Sequence, residues 1–499
     1  MPIHDVAALT DIPQGPSKAE AGDRAVLLIR DGDEVRAFTH ECPHLKLPLS
    51  KGVVRDGVLI CPFHHACFDA RTGAQAEPPG HGDLARFDVT LRDGRVLVDV
   101  PDGAEPHPKP SAATVGADPR RIVLVGAGAV GHTAATTLRE RGFQGTIEMI
   151  APSRAPYDRT MLSKAVLGGG KDVADLTLDP EPELIGVVRI DDVATAVSPG
   201  RVTLASGGTR AFDACLVAPG GAPRGLDLPG EDMEGVHRLR DATQAEALAA
   251  ALEGARRAVV IGGGFIGLEA AASLLKRGLE VTLATRDAVP LGRIAGERIA
   301  RQMVAELAEQ GLRHLPETEA ARIEGANRVS SVVWTDGGAT EADLVLIAVG
   351  VSPRTRDIAG LPHDEDGGVS VGADLAVPGL AGLHVGGDCA RAPTPFGRFR
   401  IEHWRVAMQH GRRAALAMLG EDPGPDDIPF FWTALARQYR YLGHAKDWDD
   451  LALDGTPDAA FLARYVADGR VMAALTAGKD AELAELHLRM RAAGGPVPA

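Results

Sequence analysis

Residues 121–142 read RIVLVGAGAVGHTAATTLRERG, an apolar strand running into a glycine-rich turn and then a helix. The same grammar returns at residues 257–278 as RAVVIGGGFIGLEAAASLLKRG, aligned almost position for position. Gly126-x-Gly128-x-x-Gly131 and Gly262-x-Gly264-x-x-Gly267 each follow the strand and open the helix. A lone GxGxxG means little. In this context the glycines let backbone N–H groups approach a pyrophosphate at the positive end of a helix. Two related βαβ nucleotide-binding units in one chain are expected.

Upstream, residues 1–105 carry short alternating apolar runs broken by Asp-Gly at 31–32, 56–57 and 93–94, the turn chemistry of hairpins in a small antiparallel β domain. Five prolines between Pro101 and Pro119, with no periodicity, mark a linker over 106–119. Downstream, strand-like alternation over residues 430–455 and a helical AELAELHLRMRAA at 481–493 give a final α+β piece. The fold class is thus multidomain: an N-terminal all-β domain, two Rossmann-like α/β domains and a C-terminal α+β domain. The expected boundaries are 1–105, the linker, 120–238 and 356–425 for the two parts of the first nucleotide domain, 239–355 for the second, and 426–499.

Length and composition agree. A chain of 499 residues suggests three or four domains at about 100 to 200 residues each, and 45% hydrophobic with 24% charged residues is ordinary globular composition. The net charge of −15 argues against nonspecific binding to nucleic acid or anionic membranes. No apolar run approaches the roughly 18 to 20 residues of a membrane span, and the N-terminal MPIHDVAALTDIPQG lacks an apolar signal core, so a cytoplasmic protein is expected.

Five cysteines are too few for a disulfide framework in this length, yet Cys42, Cys61 and Cys67 crowd into one short stretch of the N-terminal domain. CPHLKLPLS and CPFHHACFD supply Cys42-x-His44, sixteen intervening residues, then Cys61-x-x-His64. Two thiolates on one iron and two imidazoles on the other form a Rieske [2Fe–2S] centre. Two Cys and two His also satisfy tetrahedral zinc, although zinc sites more often use C-x₂₋₄-C spacing. Cys67 and His65 fall outside the ligand set; Cys215 and Cys389 read as packing residues.

Residues 42–80 resemble a Rieske domain of the soluble ferredoxin type. High-potential respiratory relatives carry an extra cysteine in each loop, where this chain has Leu47 and Phe63, so the resemblance implies a potential toward the low end of the Rieske range, about −150 mV. Lys46 and His65 stand where that family usually has glycines, which forces side chains onto turns normally left to Gly.

Residues 120–490 resemble the FAD-dependent pyridine-nucleotide reductases of the ferredoxin-reductase and apoptosis-inducing-factor-like group, through PYDRTMLSK (156–164), APGGAPR (218–224), GLHVGGDCA (382–390), IEHWRVAMQHG (401–411) and PFFWT (429–433). The resemblance implies FAD on the first fingerprint and NADH or NADPH on the second. It places Asp388 on the flavin ribityl chain, Arg159 and Lys164 along the flavin, Glu269 beside Lys164 near the flavin N5, and Trp404 and Trp432 against the ring. Lys164 and Glu269 are the candidate catalytic pair.

This chain departs from the pattern in two places. The acid expected to hold the FAD adenosine ribose is missing from IAPSRAPY, which offers Pro152, Ser153 and Arg154. After the strand LEVTLAT, a NAD enzyme offers a carboxylate to the ribose 2′-OH; this chain has Thr285 followed by Arg286, which favours NADPH. No cysteine lies between Cys67 and Cys215, so the redox pair of the disulfide reductases is absent. The expected activity is a reductase passing electrons from NAD(P)H through FAD to the cluster and on to an acceptor such as an oxygenase component; the alternative is a slow NAD(P)H redox sensor. A homodimer is compatible with either.

Overall fold

The computed structural model describes residues 3–109, 114–152, 154–425 and 427–499. Residues 110–113 of the expected linker and Ser153 lie outside them.

The N-terminal unit is a six-stranded antiparallel sheet in the spatial order Ile3–Ala8, Arg95–Asp99, Arg86–Arg92, Glu34–Thr39, Arg24–Asp31, Gly15–Ala21, with a four-stranded sheet of residues 53–77 beside it. Period-two alternation divides its core. Val26 and Leu28 of the strand Arg24–Asp31 pack into one apolar cluster, while Leu27 and Ile29 pack with Phe38, Leu49 and Phe68 into a second that also contains Cys42 and Cys61. Each fully buried side chain of this size contributes on the order of 1.5–3 kcal/mol, so the cysteines are anchored in a well-buried part of the core. Asp56-Gly57 and Asp93-Gly94 both take left-handed backbone, as a type I′ hairpin requires. At the third turn the loop is Gly32-Asp33 instead, because Asp31 pairs with Glu34 and only Gly32 of the two is left-handed.

Two parallel five-stranded sheets follow. The first runs Val187–Ile190, Thr146–Ile150, Arg121–Val125, Ala214–Val217, Leu383–Val385; the second runs Val236–Arg238, Leu344–Ile347, Arg257–Ile261, Glu280–Ala284, Arg313–Leu315. Their central strands, IVLV, AVVI and LVLI, are apolar throughout because both faces are covered. Each sheet is interrupted in chain order by a three-stranded antiparallel excursion, at 194–211 before Ala214–Val217 and at 320–341 before Leu344–Ile347. The first sheet takes its last strand from beyond the second. The helix Trp404–Leu419 packs along the helix Ala129–Glu140, and Gly411 allows this: a Cβ there would lie 2.4 Å from Val130 O.

The C-terminal piece is an antiparallel sheet of Phe430–Ala434, Gln438–Gly443, Arg470–Ala477, Phe461–Ala467 and Asp450–Gly455, covered by the helix Asp480–Ala493. Ala484 and Leu488 of that helix pack on Ile60 and Cys67 of the N-terminal unit. No helix among the described residues is long and apolar enough to cross a membrane.

Candidate functional site

Cys42 and Cys61 open two loops with the same hydrogen bonding. Cys42 N donates to Leu47 O and Lys46 N to Cys42 O; Cys61 N donates to Ala66 O and His65 N to Cys61 O, all at 2.9–3.0 Å. The pattern folds each loop back on itself and demands a left-handed residue four places after the cysteine. Lys46 has φ 56° and His65 has φ 58°, so both pay the steric cost that glycine avoids.

The loops bring the candidate ligands together in two pairs. Cys42 and Cys61 are buried beside each other: the Cys42 side chain, the backbone N–H groups of Phe63 and His64 and the nearby Arg440 hold the Cys61 thiol below its ordinary value, while Cys61 and burial push that of Cys42 up. The His44 and His64 rings stand edge to face with centroids 4.6 Å apart. Burial pushes His44 down to about 4 and His64 well below the ordinary imidazole value, so both are neutral, as a metal-binding imidazole must be. His44 Nδ1 is buried and has no hydrogen-bond partner, and a metal bond is the kind of partner it lacks. Thiolates on one side and neutral imidazoles on the other are the donor set of a Rieske cluster, and these residues fit it.

The two glycine fingerprints repeat one geometry. Gly126 and Gly262 are left-handed, and a Cβ on either would lie 2.2 or 2.3 Å from the carbonyl of Ala218 or Ala348. A Cβ on Gly131 or Gly267 would lie 2.0 or 2.1 Å from the carbonyl of its own first glycine. The middle glycines, Gly128 and Gly264, face open space and cap helices whose first turns have no side-chain cap. Bare N–H groups beside an open groove fit a dinucleotide pyrophosphate at both sites.

Between these units lies a cavity of about 160 Å³ lined by Arg159, Lys164, Glu269, Trp404 and Trp432 among others. Glu269 is buried at its floor. Its carboxylate accepts hydrogen bonds from Lys164 Nζ at 2.9 Å, Ser163 Oγ at 2.6 Å and Thr433 Oγ1 at 2.7 Å. Lys164 also donates to Thr160 O. Asp388 is buried between Arg240, which hydrogen-bonds to it, and Arg159 at 3.5 Å; their positive charge holds its carboxyl below the ordinary value despite burial. Trp432 lines the cavity on one side. On the other its ring lies 4.5 Å from His64 and 5.5 Å from His44, centroid to centroid.

Thr285 is buried, its hydroxyl donating to Asp287 O and sharing a hydrogen bond with His314 Nε2, each at 2.8 Å. Arg286 stands in solvent with its Nε 3.3 Å from Glu319. Near the other ribose position, Arg154 is paired with Glu246 at 2.6 Å; Ser153 lies outside the described residues.

Residues 120–411 match the pyridine nucleotide-disulphide oxidoreductase family, and residues 3–88 match the Rieske [2Fe-2S] domain. The chain belongs to the pyridine nucleotide-disulphide oxidoreductase family. Among its curated relatives, apoptosis-inducing factor 3 of Homo sapiens is 29% identical over 95% of this chain and 82% of that protein. The probable ferredoxin reductase CtmF of Castellaniella defragrans is 33% identical over 73% of this chain and 92% of that protein. The putidaredoxin reductase–putidaredoxin complex is a structural neighbour with TM-score 0.71 and 26% identity, covering 75% of this chain and 93% of that one. The family member described here is therefore an FAD-dependent NAD(P)H oxidoreductase of ferredoxin-reductase type with an N-terminal Rieske domain. The disulphide in the family's name has no counterpart: all five cysteines are unpaired and buried, and burial raises the Cys215 thiol and takes that of Cys389 to about 12.

Sequence reasoning missed Arg240, Arg440, Ser163 and Thr433. Ser163 and Thr433 lie within PYDRTMLSK and PFFWT, but nothing in either stretch marks them as partners of Glu269; each of the four is delivered by a fold contact with a partner far away in sequence.

Proposed function

We propose that this chain carries electrons from NAD(P)H to a cluster held by Cys42, His44, Cys61 and His64, and from there to a protein acceptor such as an oxygenase component, in the cytoplasm. Nicotinamide gives up two electrons as hydride whereas a [2Fe–2S] cluster takes one at a time, and FAD is the group that supplies the conversion. The observation that carries the reading is Trp432, which touches both candidate histidine ligands and lines the candidate flavin cavity.

The chain's own residues have distinct tasks in this scheme. Gly126, Gly128 and Gly131 hold the FAD pyrophosphate, and Gly262, Gly264 and Gly267 that of NAD(P)H. Asp388 accepts from the ribityl hydroxyls, with Arg159 and Arg240 keeping it ionised. Lys164 presents a cation to the flavin and is held in place by Glu269, which Ser163 and Thr433 orient. Trp404 closes the cavity. Arg286, with no acid at the end of its strand, pairs with a 2′-phosphate and tilts the enzyme to NADPH, Glu319 being the partner it leaves. The boundaries proposed for these units are 1–105, 120–238 with 356–425, 239–355 and 426–499.

The names of the relatives support a reductase: CtmF is a probable ferredoxin reductase, and a Cupriavidus relative, 33% identical over 94% of that protein, is a chlorobenzene dioxygenase reductase component. The test is steady-state turnover with cytochrome c and with ferricyanide. Fast reduction of both by the parent, with Cys61→Ser keeping ferricyanide and losing most cytochrome c reduction, is expected. Negligible turnover with either acceptor replaces the reductase with the slow NAD(P)H sensor.

A further inference from the structure

The two ligand loops share a backbone pattern but differ in surroundings. The tip of the first, Leu45-Lys46, is in solvent, whereas Cys61–Phe68 is covered almost throughout. What covers it is a buried polar chain reaching into the C-terminal piece. His65 stacks on Phe430 with centroids 3.7 Å apart, and its Nδ1 lies 2.6 Å from His487 Nδ1. His487 Nε2 lies 3.1 Å from Asp427 Oδ1, and Asp427 also receives Arg405 and Arg491.

The hydrogen-bond inventory fixes the protons. A carboxylate accepts, so His487 carries its proton on Nε2, its Nδ1 accepts, and the donor is His65 Nδ1–H. His65 Nε2 is then bare, consistent with its being buried without a hydrogen-bond partner. Arg405 closes the circuit by donating from Nε to Pro78 O, back in the N-terminal unit, at 2.8 Å. His65, Asp427, Arg405 and His487 are each at most 1% exposed by residue or side chain. The charges balance as well: Arg405 and Arg491 face Asp427 and Glu77.

A histidine in a left-handed turn is an awkward choice unless its side chain has a task. We propose that His65 is the plug of a latch, seated on His487 and keyed by Asp427 and Arg405, that keeps the Rieske domain permanently docked so that each cluster is reduced only by the flavin of its own chain. Each electron the cluster gains is one lost by the flavin beside it, and NAD(P)H supplies the flavin with two. The inference rests on the reductase reading above. It turns a tethered ferredoxin into a fixed one and makes His65 and Asp427 positioning residues, with the exposed Leu45-Lys46 loop left as the free edge of the cluster site.

Two experiments test it. In the first, a Cys61→Ser chain that binds FAD but no cluster is mixed with a Gly128→Trp chain that keeps its cluster but binds no FAD, and NADPH is added without oxygen. Docking in cis predicts no Rieske EPR signal from the mixture, while the parent gives one at a rate independent of protein concentration. A signal growing with concentration overturns the latch, and a silent parent overturns the reductase reading instead. In the second, residues 110–113 are replaced by a protease site, the full chain is cleaved, and the fragments are run on gel filtration. The expected result is co-elution for the parent, and separation for His65→Gly with its Rieske EPR spectrum retained. Glycine relieves the turn, so misfolding does not explain the release. Separation of the parent fragments, or continued co-elution of His65→Gly, refutes the proposal.

Discussion

The glycine fingerprints allow a perturbation whose cost to the fold and cost to the cofactor separate cleanly. A methyl group added at Gly128 meets nothing within 4 Å, and the residue has φ −75° and ψ −166°, which alanine adopts freely. Gly128→Ala therefore changes the stability of the cofactor-free protein only through the N-cap preference of Gly over Ala, about 1 kcal/mol or less. The same methyl stands in the open space proposed above for the pyrophosphate. Loss of one backbone hydrogen bond to a charged group, about 1.5–3 kcal/mol, weakens FAD binding roughly 10- to 150-fold. Gly264→Ala, with the same open space, keeps FAD and raises KM for the nicotinamide nucleotide by a similar factor. Gly131→Ala behaves otherwise: its Cβ lies 2.0 Å from Gly126 O, and overpacking of that kind costs about 1–3 kcal/mol or more whatever is bound. FAD per chain after purification, FAD titration of the stripped protein and its melting curve are the readouts. Full FAD retention in Gly128→Ala together with loss in Gly264→Ala reverses the assignment of the two fingerprints. A large fall in the melting temperature of stripped Gly128→Ala refutes the geometric argument.

Three further outcomes follow from particular side chains. Trp432→Leu keeps an apolar filler but removes the ring between the cavity and both histidines, and cluster reduction followed by stopped flow slows on the order of ten- to a hundredfold; an unchanged rate takes Trp432 off the path. Burial pushes the Glu140 carboxyl from the ordinary 4.5 up to about 7, so the folded state holds its proton more tightly than the unfolded chain. The stability this gives is complete below about pH 4 and lost as pH rises through 7, leaving a penalty on the order of 1–3 kcal/mol at pH 8 after allowance for partial exposure. Glu140→Gln should therefore raise the melting temperature at pH 8 and leave it nearly unchanged at pH 4; parallel curves contradict this. Arg286→Glu lowers the NADPH/NADH ratio of kcat/KM by about tenfold or more, since a bidentate pair becomes a repulsion, and an unchanged ratio removes Arg286 from specificity.

Much of the architecture was legible because its chemistry is local. Each fingerprint is a strand, turn and helix in one short segment, 121–142 or 257–278, and each candidate ligand pair sits in one short loop, so spacing alone singles out Gly126 or Cys42. Lys46 and His65 were legible as misfits at positions that want glycine, and the left-handed angles show why. The task of His65 was not legible. Its partner His487 and the Asp427 behind it lie at the far end of the chain, and such separations leave no periodic trace in a sequence. The same holds for Arg240 on Asp388 and Thr433 on Glu269, where one polar residue among many is selected only by the packing of separate units. Thr285 illustrates the converse: its position after the strand suggested a ligand contact, while its hydroxyl is committed to Asp287 and His314.

In the proposed scheme one chain takes up hydride and delivers single electrons to its own cluster. Anaerobic titration of the FAD- and iron-loaded protein with NADPH, followed together by visible absorption and low-temperature EPR, measures it directly. The expected result is bleaching of the flavin with a Rieske-type EPR signal growing alongside it. A fully reduced flavin with no such signal contradicts it.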